Sequence, residues 1–490
     1  MRVTRSLSAV LALTAAAFLA GCGGGGGGSA LPAGASVVPE DVAAYVSVIT
    51  DFGSPQIKRA QALLSRFPAS RLLFANARRE MAKEGVDFER DVKPALGDEL
   101  DVVWLDFAND GNDVVALLRP HNEAKLVALL RKGDEPPVHE VVDGWTVLSD
   151  DRAKLDRFRQ MRGEGGSLNG NGEFQEVVRD LPEGSLVRAF VSGSAIQARI
   201  DAALAGNPAA SFTASQLPSI KSFGAALAPG SNGVHLDAAA RGDFKTATES
   251  FRPELPAALP SGAIAYLGFS NLEDAMRRAL AKAGEVNPNF DQQRAQLETA
   301  LGFSLDKDIL PLFSGESAVA VYPLSANVPA IAFVQSVSDE DKARRLIGRI
   351  TALSRLGGNA QVSILPINGA QATEIRIRKD LAFYLAAFRG KIVLATDRTV
   401  VSGMASSASK LAGDPAFEKA RAEGGLPGET GGFFYLNLRT TQRWLADLVQ
   451  RTGKPVPRRL RENLEPLRSL LLYSRQEGDR LRLSGFLGIR

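Results

Sequence analysis

The chain has 490 residues, of which 45% are apolar and 23% are charged, and its formal net charge is +3. A single hydrophobic core rarely extends beyond about 300 residues, so this length predicts two or more domains. The small net charge gives no basic field of the kind that nucleic-acid binding requires, and we predict no nucleic-acid partner.

The N-terminus has the pattern of an export signal. Two arginines precede an apolar run, residues 7–20, whose 14 residues are fewer than the ~20 that span a bilayer as a helix. The run ends in Leu-Ala-Gly-Cys, residues 19–22, and Cys22 is the only cysteine. This motif resembles the bacterial lipobox, which implies a lipoprotein signal peptide over residues 1–21 and a diacylglycerol, with acyl chains such as palmitate, in thioether linkage to the Cys22 sulfur. The alternatives are an ordinary cleaved signal with a chance cysteine and an uncleaved signal anchor.

A glycine run follows the cysteine and predicts a linker. Residues 23–28 are all glycine, and mostly small residues continue to Val38. Such a segment cannot bury much apolar surface, so we predict that residues 22–38 hold the lipidated Cys22 and a flexible tether without fixed structure. The exported protein is then expected on the cell membrane or the outer membrane, with its body facing the periplasm or the cell exterior.

Apolar periodicity predicts helices and hairpin strands along the rest of the chain. In the first half we predict helices over 55–67, 70–84 and 123–131, and strands over 100–107, 114–118, 145–148, 220–227 and 233–241. In the second half we predict helices over 272–284, 290–301 and 339–353, and strands over 318–322, 330–334, 392–394, 467–474 and 480–489. Loops are predicted over 162–172 and 205–215.

The two halves follow one plan, which predicts a duplicated domain with copies at 38–248 and 259–490. Residues 85–94 align without a gap on residues 302–311, and the flanking strands and helices recur in the same order. The strands come mostly as hairpins with helices between them, so we predict an α+β fold. We expect two tandem copies, each a mainly antiparallel twisted sheet with helices packed on one face.

An aspartate stands at matching places in the two halves. Residues 144–152 align on residues 390–398, which makes Asp151 and Asp397 equivalent, and each lies where an apolar run gives way to a helical pattern. Aspartate is favoured there because its carboxylate accepts a backbone N–H of the first helical turn. The pair formed by Asp150 and Asp151 could also serve acid–base chemistry, but we interpret Asp151 as a helix N-cap.

Two short motifs recur near the start of the body. A proline precedes Ala-Tyr-Val at the opening of a strand, and Asp-Val-x-Pro-x-Leu-Gly-Asp-Glu follows the next helices. The residues concerned are Pro39, Ala44, Tyr45, Val46, Asp91, Val92, Pro94, Leu96, Gly97, Asp98 and Glu99. They resemble the bacterial family called domain of unknown function 3352 (DUF3352). The resemblance implies a cell-envelope protein without an established activity and transfers no catalytic residue; the second copy departs from the pattern, with Ser317 aligned on Glu99.

Motifs for catalysis are incomplete in this sequence. His121, His139 and His235 fall in separate segments, so no zinc-protease spacing is present. Ser231 and Ser317 each lie in a segment that lacks one glycine of the Gly-x-Ser-x-Gly motif of serine hydrolases. The acidic segment 106–113 departs from calcium-loop spacing and is interpreted as a hairpin turn. We therefore predict no catalytic residues, no metal and no cofactor.

A basic stretch lies near the C-terminus. Residues 451–468 contain six lysines and arginines against two glutamates. The segment could contact anionic lipid headgroups or wall polymers, but a solvated basic helix is the interpretation that we favour. The leading hypothesis for the whole chain is a non-catalytic envelope lipoprotein that binds an unknown partner or ligand. The alternatives are a carrier of lipid or another hydrophobic ligand, and an envelope hydrolase with a non-standard site.

Overall fold

The structure is a computed structural model that describes residues 31–132, 136–204, 219–244, 250–323, 328–356, 360–379, 381–406, 408–451, 453 and 456–490. Cys22, the signal peptide and the predicted loop at 205–215 lie outside these ranges. The chain divides into two compact units. Unit 1 comprises Met1–Thr246 with Pro457–Pro466 and Glu477–Arg490, and unit 2 comprises Ala247–Val456 with Leu467–Gln476.

The first part of unit 1 alternates helices and strands. Its helices are α1 (Pro55–Leu64), α2 (Pro68–Lys83), the single turn α3 (Lys93–Ala95), α4 (Glu123–Leu130), α5 (Arg152–Glu164), α6 (Gly172–Arg179) and α7 (Gly193–Leu204). Its strands are β1 (Ala44–Ile49), β2 (Glu99–Trp104), β3 (Val114–Leu118), β4 (Val138–Val142), β5 (Trp145–Ser149), β6 (Val187–Ser192), β7 (Ile220–Pro229) and β8 (Gly233–Gly242). A π-helical turn spans Phe88–Val92, and 3₁₀ turns span Ala33–Ser36, Asn109–Gly111 and Leu168–Gly170.

Unit 2 has a similar sequence of elements. Its helices are α8 (Leu272–Val286), α9 (Phe290–Leu301), α10 (Glu340–Leu356), α11 (Arg398–Ala405), α12 (Pro415–Gly424) and α13 (Leu438–Arg451). Its strands are β9 (Ala265–Phe269), β10 (Ser317–Tyr322), β11 (Ala330–Ser336), β12 (Gln361–Ile367), β13 (Ala370–Arg378), β14 (Leu381–Phe388), β15 (Lys391–Ala395), β16 (Gly432–Leu436) and β17 (Leu467–Glu477). A π-helical turn spans Leu305–Ile309, and 3₁₀ turns span Leu255–Ala257, Leu310–Phe313 and Leu411–Gly413.

The C-terminal part of the chain contributes to unit 1. Helix α14 (Arg458–Leu464) contacts α2, and strand β18 (Arg480–Ile489) pairs with β8. The compact units therefore differ from a simple division of the chain between residues 248 and 259, because the last strand belongs with the first unit. The pairing of Arg480–Gly488 with Gly233–Arg241 explains this assignment.

Within each unit the strand pairings define one sheet order. Unit 1 has the order β4-β5-β3-β2-β1-β6-β7-β8-β18. Unit 2 has the order β12-β13-β14-β15-β11-β10-β9-β16-β17. All of these pairings are antiparallel, which confirms a mixed helix and strand fold with antiparallel pairing. Strands β4 and β12–β14 were absent from the sequence prediction.

The prediction that helices cover only one face of the sheet is wrong for unit 1. One apolar cluster joins strand residues such as Leu117 and Val147 to Phe158 of α5 and Phe174 of α6. A second cluster joins alternate strand residues to Ile57 of α1 and other helical residues. Strands β3 and β5 are buried at all five positions, which is typical of a sheet that is covered on both faces.

The prediction of an unstructured linker is wrong for its last residues. Ala33–Ser36 form a 3₁₀ turn, and the side chains of Ala35, Val37 and Val38 are at most 2% exposed. The Glu99 carboxylate accepts the backbone N–H groups of Ala33 at 3.1 Å and Gly34 at 2.9 Å. Two valines and an alanine supply the apolar surface that the glycine run lacks, so the fold begins by residue 33.

The two predicted aspartate caps are confirmed. Asp151 accepts the backbone N–H of Ala153 at 2.9 Å, and Asp397 accepts that of Thr399 at 2.8 Å. Asp151 precedes α5 and Asp397 precedes α11. Asp150 pairs with Lys154 at 2.8 Å, so the two neighbouring carboxylates make separate contacts.

Loss of either cap should have a small and similar effect. We expect Asp151→Ala and Asp397→Ala each to lower the free energy of unfolding by ~1 kcal/mol, because one N–H of the first helical turn loses its acceptor. Urea denaturation checks this, with Asp151→Asn and Asp397→Asn as conservative variants that should retain most of the stability. Equal losses for the Ala and Asn variants would contradict a capping role.

Candidate functional site

The three histidines lie apart in unit 1. The His121 imidazole contacts the Asp98 carboxylate at 3.0 Å on the surface, His139 lies on β4, and the His235 ring packs on Phe486 at a centroid distance of 4.8 Å. Within the ranges that the structure describes, no group of three or more His, Cys, Asp or Glu side chains is arranged to hold a metal ion. The structure does not bring the histidines together.

The serines and the acidic turn considered above have structural contacts. The Ser317 side chain is fully buried and donates to the side-chain oxygen of Gln335. The Ser231 carbonyl accepts a hydrogen bond from Arg66 at 2.9 Å. In the acidic turn, Asp106 and Asp113 both pair with Arg157. An arginine therefore takes the place that a calcium ion would need between these two carboxylates.

A buried carboxyl group lies beneath the first 3₁₀ turn. The Tyr45 hydroxyl donates to the Asp101 carboxyl at 2.8 Å, and both side chains are at most 1% exposed. Burial raises the pKa of Asp101 well above its usual value, and the charge of Glu99 raises it further. Burial also raises the pKa of the Tyr45 hydroxyl. A pattern of alternating apolar residues along β2 does not predict a buried acid at Asp101, and sequence reasoning missed it.

The stability of unit 1 should depend on the ionisation of Asp101. Its pKa is higher in the folded state than in the unfolded chain, where it is about 3.9. Its stabilising contribution is therefore complete below about pH 3.9 and is lost as the pH rises through the folded-state pKa. We expect Asp101→Asn to flatten the fall in unfolding free energy above pH 4.

Urea titrations across this pH range provide the measurement. Asp41→Asn is the matched control, because Asp41 is an exposed aspartate of unit 1. The control should keep the wild-type pH profile. An Asp101→Asn profile as steep as that of the wild type would show that this carboxyl does not titrate between the two states.

Unit 2 contains a related arrangement. The Glu316 carboxylate accepts the backbone N–H groups of Glu254 at 2.7 Å and Leu255 at 2.9 Å, and it contacts the Tyr266 hydroxyl at 3.4 Å. Burial raises the pKa of Glu316. Glu316 thus has the contacts in unit 2 that Glu99 has in unit 1, whereas the sequence alignment placed Ser317 opposite Glu99. Glu99 thus links the turn Ala33–Ser36 to β2, and Glu316 links the turn Leu255–Ala257 to the start of β10.

A cluster of charged side chains joins α6 to the last two strands of unit 1. The Asp180 side chain is 8% exposed and accepts hydrogen bonds from Arg482 at 2.7 Å and Arg480 at 3.4 Å. Arg241 is also 8% exposed and lies 3.7 Å from the other oxygen of Asp180. Arg241 further pairs with Glu176 at 3.1 Å and Asp479 at 3.6 Å. The cluster balances three cations with three anions and holds β18 in unit 1.

Unit 2 contains a cavity of about 550 Å³ between α10 and the hairpin strands β12–β14. Its walls include Ile347 and Thr351 from the helix and Ile364, Thr373 and Ala387 from the strands. A volume of this size lies within the range of small-molecule sites, roughly 300–1,000 Å³. Other cavities of about 510 Å³ lie beside α7 in unit 1 and between α8 and α9 in unit 2, and the latter is lined by ion pairs such as Arg277 with Asp306.

The basic C-terminal stretch is partly helical. Arg458–Leu464 form α14, whose Arg458 pairs with Glu462 at 2.6 Å. Asn463 of this helix accepts the backbone N–H of Ala69 at 2.8 Å. The contact to α2 shows that one face of the stretch packs within unit 1. No helix in the portion of the chain that the structure describes is long and apolar enough to cross a membrane.

The chain matches one described protein family over most of its length. The family described as "Protein of unknown function (DUF3352)" matches residues 121–487. The motif residues between Pro39 and Glu99 that carried the resemblance precede the matched region. No curated protein matches the chain.

Solved structures of TP0453 show a weak similarity. Crystal form IV is 13% identical, covers 49% of this chain and 94% of that chain, and has a TM-score of 0.24. Crystal form III is 12% identical, with 48% and 94% coverage and a TM-score of 0.23, and crystal form I is 12% identical, with 49% and 94% coverage and a TM-score of 0.22.

Proposed function

The chain belongs to the DUF3352 family, and from that premise we propose that it is a membrane-anchored cell-envelope lipoprotein with a non-catalytic binding role. The observation that carries the proposal is the position of Cys22, the only cysteine, at the end of Leu-Ala-Gly-Cys after a short apolar run. Acyl chains on that sulfur would hold the protein at a membrane, because each buried CH₂ contributes ~0.8 kcal/mol.

The anchor is tested by replacing its cysteine. We expect Cys22→Ala to abolish incorporation of labelled palmitate and to leave the precursor unprocessed or released from the membrane, because the sulfur is the attachment point. Metabolic labelling followed by membrane fractionation provides the measurement. Ser29→Ala, in the same N-terminal segment, is the control and should be labelled like the wild type. Undiminished labelling of Cys22→Ala would rule out this anchor.

We further propose that residues 38–248 and 259–490 arose by duplication. Several contacts recur in the two units and support this origin. Asp91 accepts the N–H of Asp87, and Asp308 accepts that of Ser304, in both cases across a π-helical turn. The strand order β14-β15-β11-β10-β9-β16-β17 of unit 2 also parallels β4-β5-β3-β2-β1-β6-β7 of unit 1. Strands β12 and β13 are an addition of the second unit.

A more specific proposal is that the protein carries a lipid or another hydrophobic ligand. The cavity beneath α10 supports it, because helix and strand residues, largely Ile, Ala, Gly and Thr, line about 550 Å³ that is partly open to solvent. The walls are contributed by the added strands β12 and β13 together with β14. Binding is thus expected to be a property of unit 2.

A further inference from the structure

Helices α2 and α14 of unit 1 contact each other and expose large apolar side chains. Leu72 and Leu73 of α2 are 56% and 64% exposed, and Leu460 of α14 is 51% exposed. The contact joins the backbone N–H of Ala69 to the side chain of Asn463. Residues three and four apart lie on one side of a helix, so both leucines of α2 lie one turn beyond that contact. The two helices therefore present three leucines to solvent.

The same two helices are strongly basic. Helix α2 carries three arginines and one lysine against one glutamate, and α14 carries three arginines against one glutamate. The whole chain, by contrast, carries 58 lysines and arginines against 55 acidic residues. Glu80 pairs with Lys83, and Glu462 pairs with Arg458. The other five arginines of the two helices form no ion pair with the residues that the structure describes, and their charges remain available to a partner.

Unit 2 has an exposed leucine at a similar place but lacks the positive charge. Helices α8 and α9 follow β9 as α1 and α2 follow β1, and Leu297 of α9 is 58% exposed. Helix α9 carries one arginine against an aspartate and a glutamate. The combination of exposed leucines with an excess of cations is thus a property of α2 and α14.

The start of α2 lies at the end of the sheet where the chain enters unit 1. Arg66, between α1 and α2, donates to the carbonyls of Ser231 and Ile489 at 2.9 Å each. The strand pairings put the β7–β8 turn, the end of β18 and the start of β2 at the same end of the sheet. Glu99 at the start of β2 holds the first 3₁₀ turn, from which the chain leads back to Cys22. A bilayer that holds Cys22 would therefore lie near α2.

The combination of leucines and cations distinguishes between possible partners. A soluble polyanion would pair with the arginines but would leave the leucines in water. A second copy of the chain, related by a twofold axis, would set these cations against one another, which is unfavourable. An anionic bilayer suits both, because its phosphates pair with arginine and its acyl boundary accepts leucine.

We propose that the surface formed by α2 and α14, the α2–α14 surface, lies on an anionic lipid bilayer. Leu72, Leu73 and Leu460 enter the boundary of the acyl chains, and the arginines contact the phosphodiester headgroups. The inference deepens the membrane-anchored role proposed above and rests on it for the choice of partner. A second contact with the membrane gives unit 1 a fixed orientation there, which acyl chains on a single cysteine do not supply.

Vesicle co-sedimentation of the mature chain without its lipid tests the proposal. The chain of residues 22–490 with Cys22→Ser keeps every residue that the structure describes. It is mixed with vesicles of phosphatidylcholine, either alone or with an equal part of phosphatidylglycerol. We expect at least about tenfold tighter binding to the anionic vesicles, because each cation near an anionic surface contributes ~1 kcal/mol, or about fivefold.

Leucine variants test the apolar part of the contact. Leu72→Ser combined with Leu73→Ser should weaken binding to the anionic vesicles roughly tenfold, because the acyl boundary loses two apolar side chains. Leu297→Ser is the matched control, since Leu297 is as exposed as Leu72 but lies on α9 of unit 2. The control should bind like the parent chain.

Arginine variants test the charged part of the contact. Arg79→Gln combined with Arg459→Gln removes one exposed cation from each helix and should weaken binding roughly thirtyfold, as expected for two cations at an anionic surface. Arg278→Gln combined with Arg345→Gln removes two exposed arginines of α8 and α10 in unit 2 and is the matched control. Its binding should stay within about threefold of the parent chain. Circular dichroism of each variant checks that it is folded.

Three results would overturn the proposal. The first is equal binding to neutral and anionic vesicles, and the second is equal losses for the unit 1 variants and their unit 2 controls. The third is undiminished binding of the leucine variant, which would indicate a soluble polyanion as the partner. Palmitate labelling of Cys22 is measured separately on a chain with an intact α2–α14 surface. A failure of this surface to bind lipid is thereby distinguished from a failure of the proposed anchor.

Discussion

Asp180→Ala should lower the free energy of unfolding of unit 1 by roughly 3–5 kcal/mol, which is typical of removing one partner from a buried ion pair. The Asp180 carboxylate accepts hydrogen bonds from Arg480 and Arg482 and lies 3.7 Å from Arg241, whose side chain is 8% exposed. Without the Asp180 carboxylate, the buried Arg241 guanidinium loses a counter-charge, and β18 loses the hydrogen bonds that its arginines donate to Asp180. We therefore expect β18 to separate from β8 before the rest of unit 1 unfolds.

Urea denaturation followed by tryptophan fluorescence measures this effect in a Trp444→Phe background, because the other two tryptophans, Trp104 and Trp145, lie in unit 1. Asp479→Ala is the matched control. Asp479 lies 3.6 Å from the same Arg241, but its side chain is 56% exposed, so water replaces the lost contact. Its loss should be at most about 1 kcal/mol. Similar losses for the two variants would show that burial does not determine the strength of these pairs.

Gly34→Ala should also destabilise unit 1, by roughly 1–3 kcal/mol, which is typical of adding a methyl group where no space exists. A Cβ atom on Gly34 would lie 1.7 Å from a carboxyl oxygen of Asp101, which is closer than any real contact. The side chain of Asp101 is fully buried and cannot move aside. The 3₁₀ turn must therefore shift, and its two hydrogen bonds to Glu99 weaken.

Gly170→Ala provides the matched control for this variant. Gly170 is also a residue of a 3₁₀ turn of unit 1, but a Cβ there would meet no atom within 4 Å. The same methyl group should therefore change the unfolding free energy by less than about 0.5 kcal/mol. Thermal denaturation of the two variants decides the matter, and a stable Gly34→Ala protein would contradict the packing of this turn on Asp101.

Regular elements could be predicted well from the sequence because their periodicity is strong. Helix α9 was predicted over 290–301 and strand β3 over 114–118, and both have these bounds. Strands β12 and β13 were missed although residues 375–378 alternate apolar and polar side chains and Asn368-Gly369 is a typical two-residue hairpin turn. Strand β14 was missed because Leu381–Phe388 lacks such an alternation. The candidate ligand site is built largely on these strands, so it was missed with them.

Polar contacts between distant residues could not be predicted for a different reason. Glu99 and Ala33 are far apart in sequence, and a glutamate that receives two backbone N–H groups has no local signature. The same holds for Asp180 and Arg482. Caps such as Asp151 could be predicted because the donor lies two residues away. Contacts between residues that are close in sequence can be predicted from one sequence. A partner on another strand can be predicted only when the pairing register of the strands is known.

The start of the packed part limits how far the folded body can lie from Cys22. Leu31 already packs against the apolar cluster that contains Ala35, Val37 and Val38. Nine residue steps separate Leu31 from Cys22, and they span at most about 32 Å when fully extended. If Cys22 carries the proposed lipid, the N-terminal end of unit 1 stays within that distance of the membrane. Any ligand of the protein would then have to be collected from, or delivered to, the layer next to that membrane.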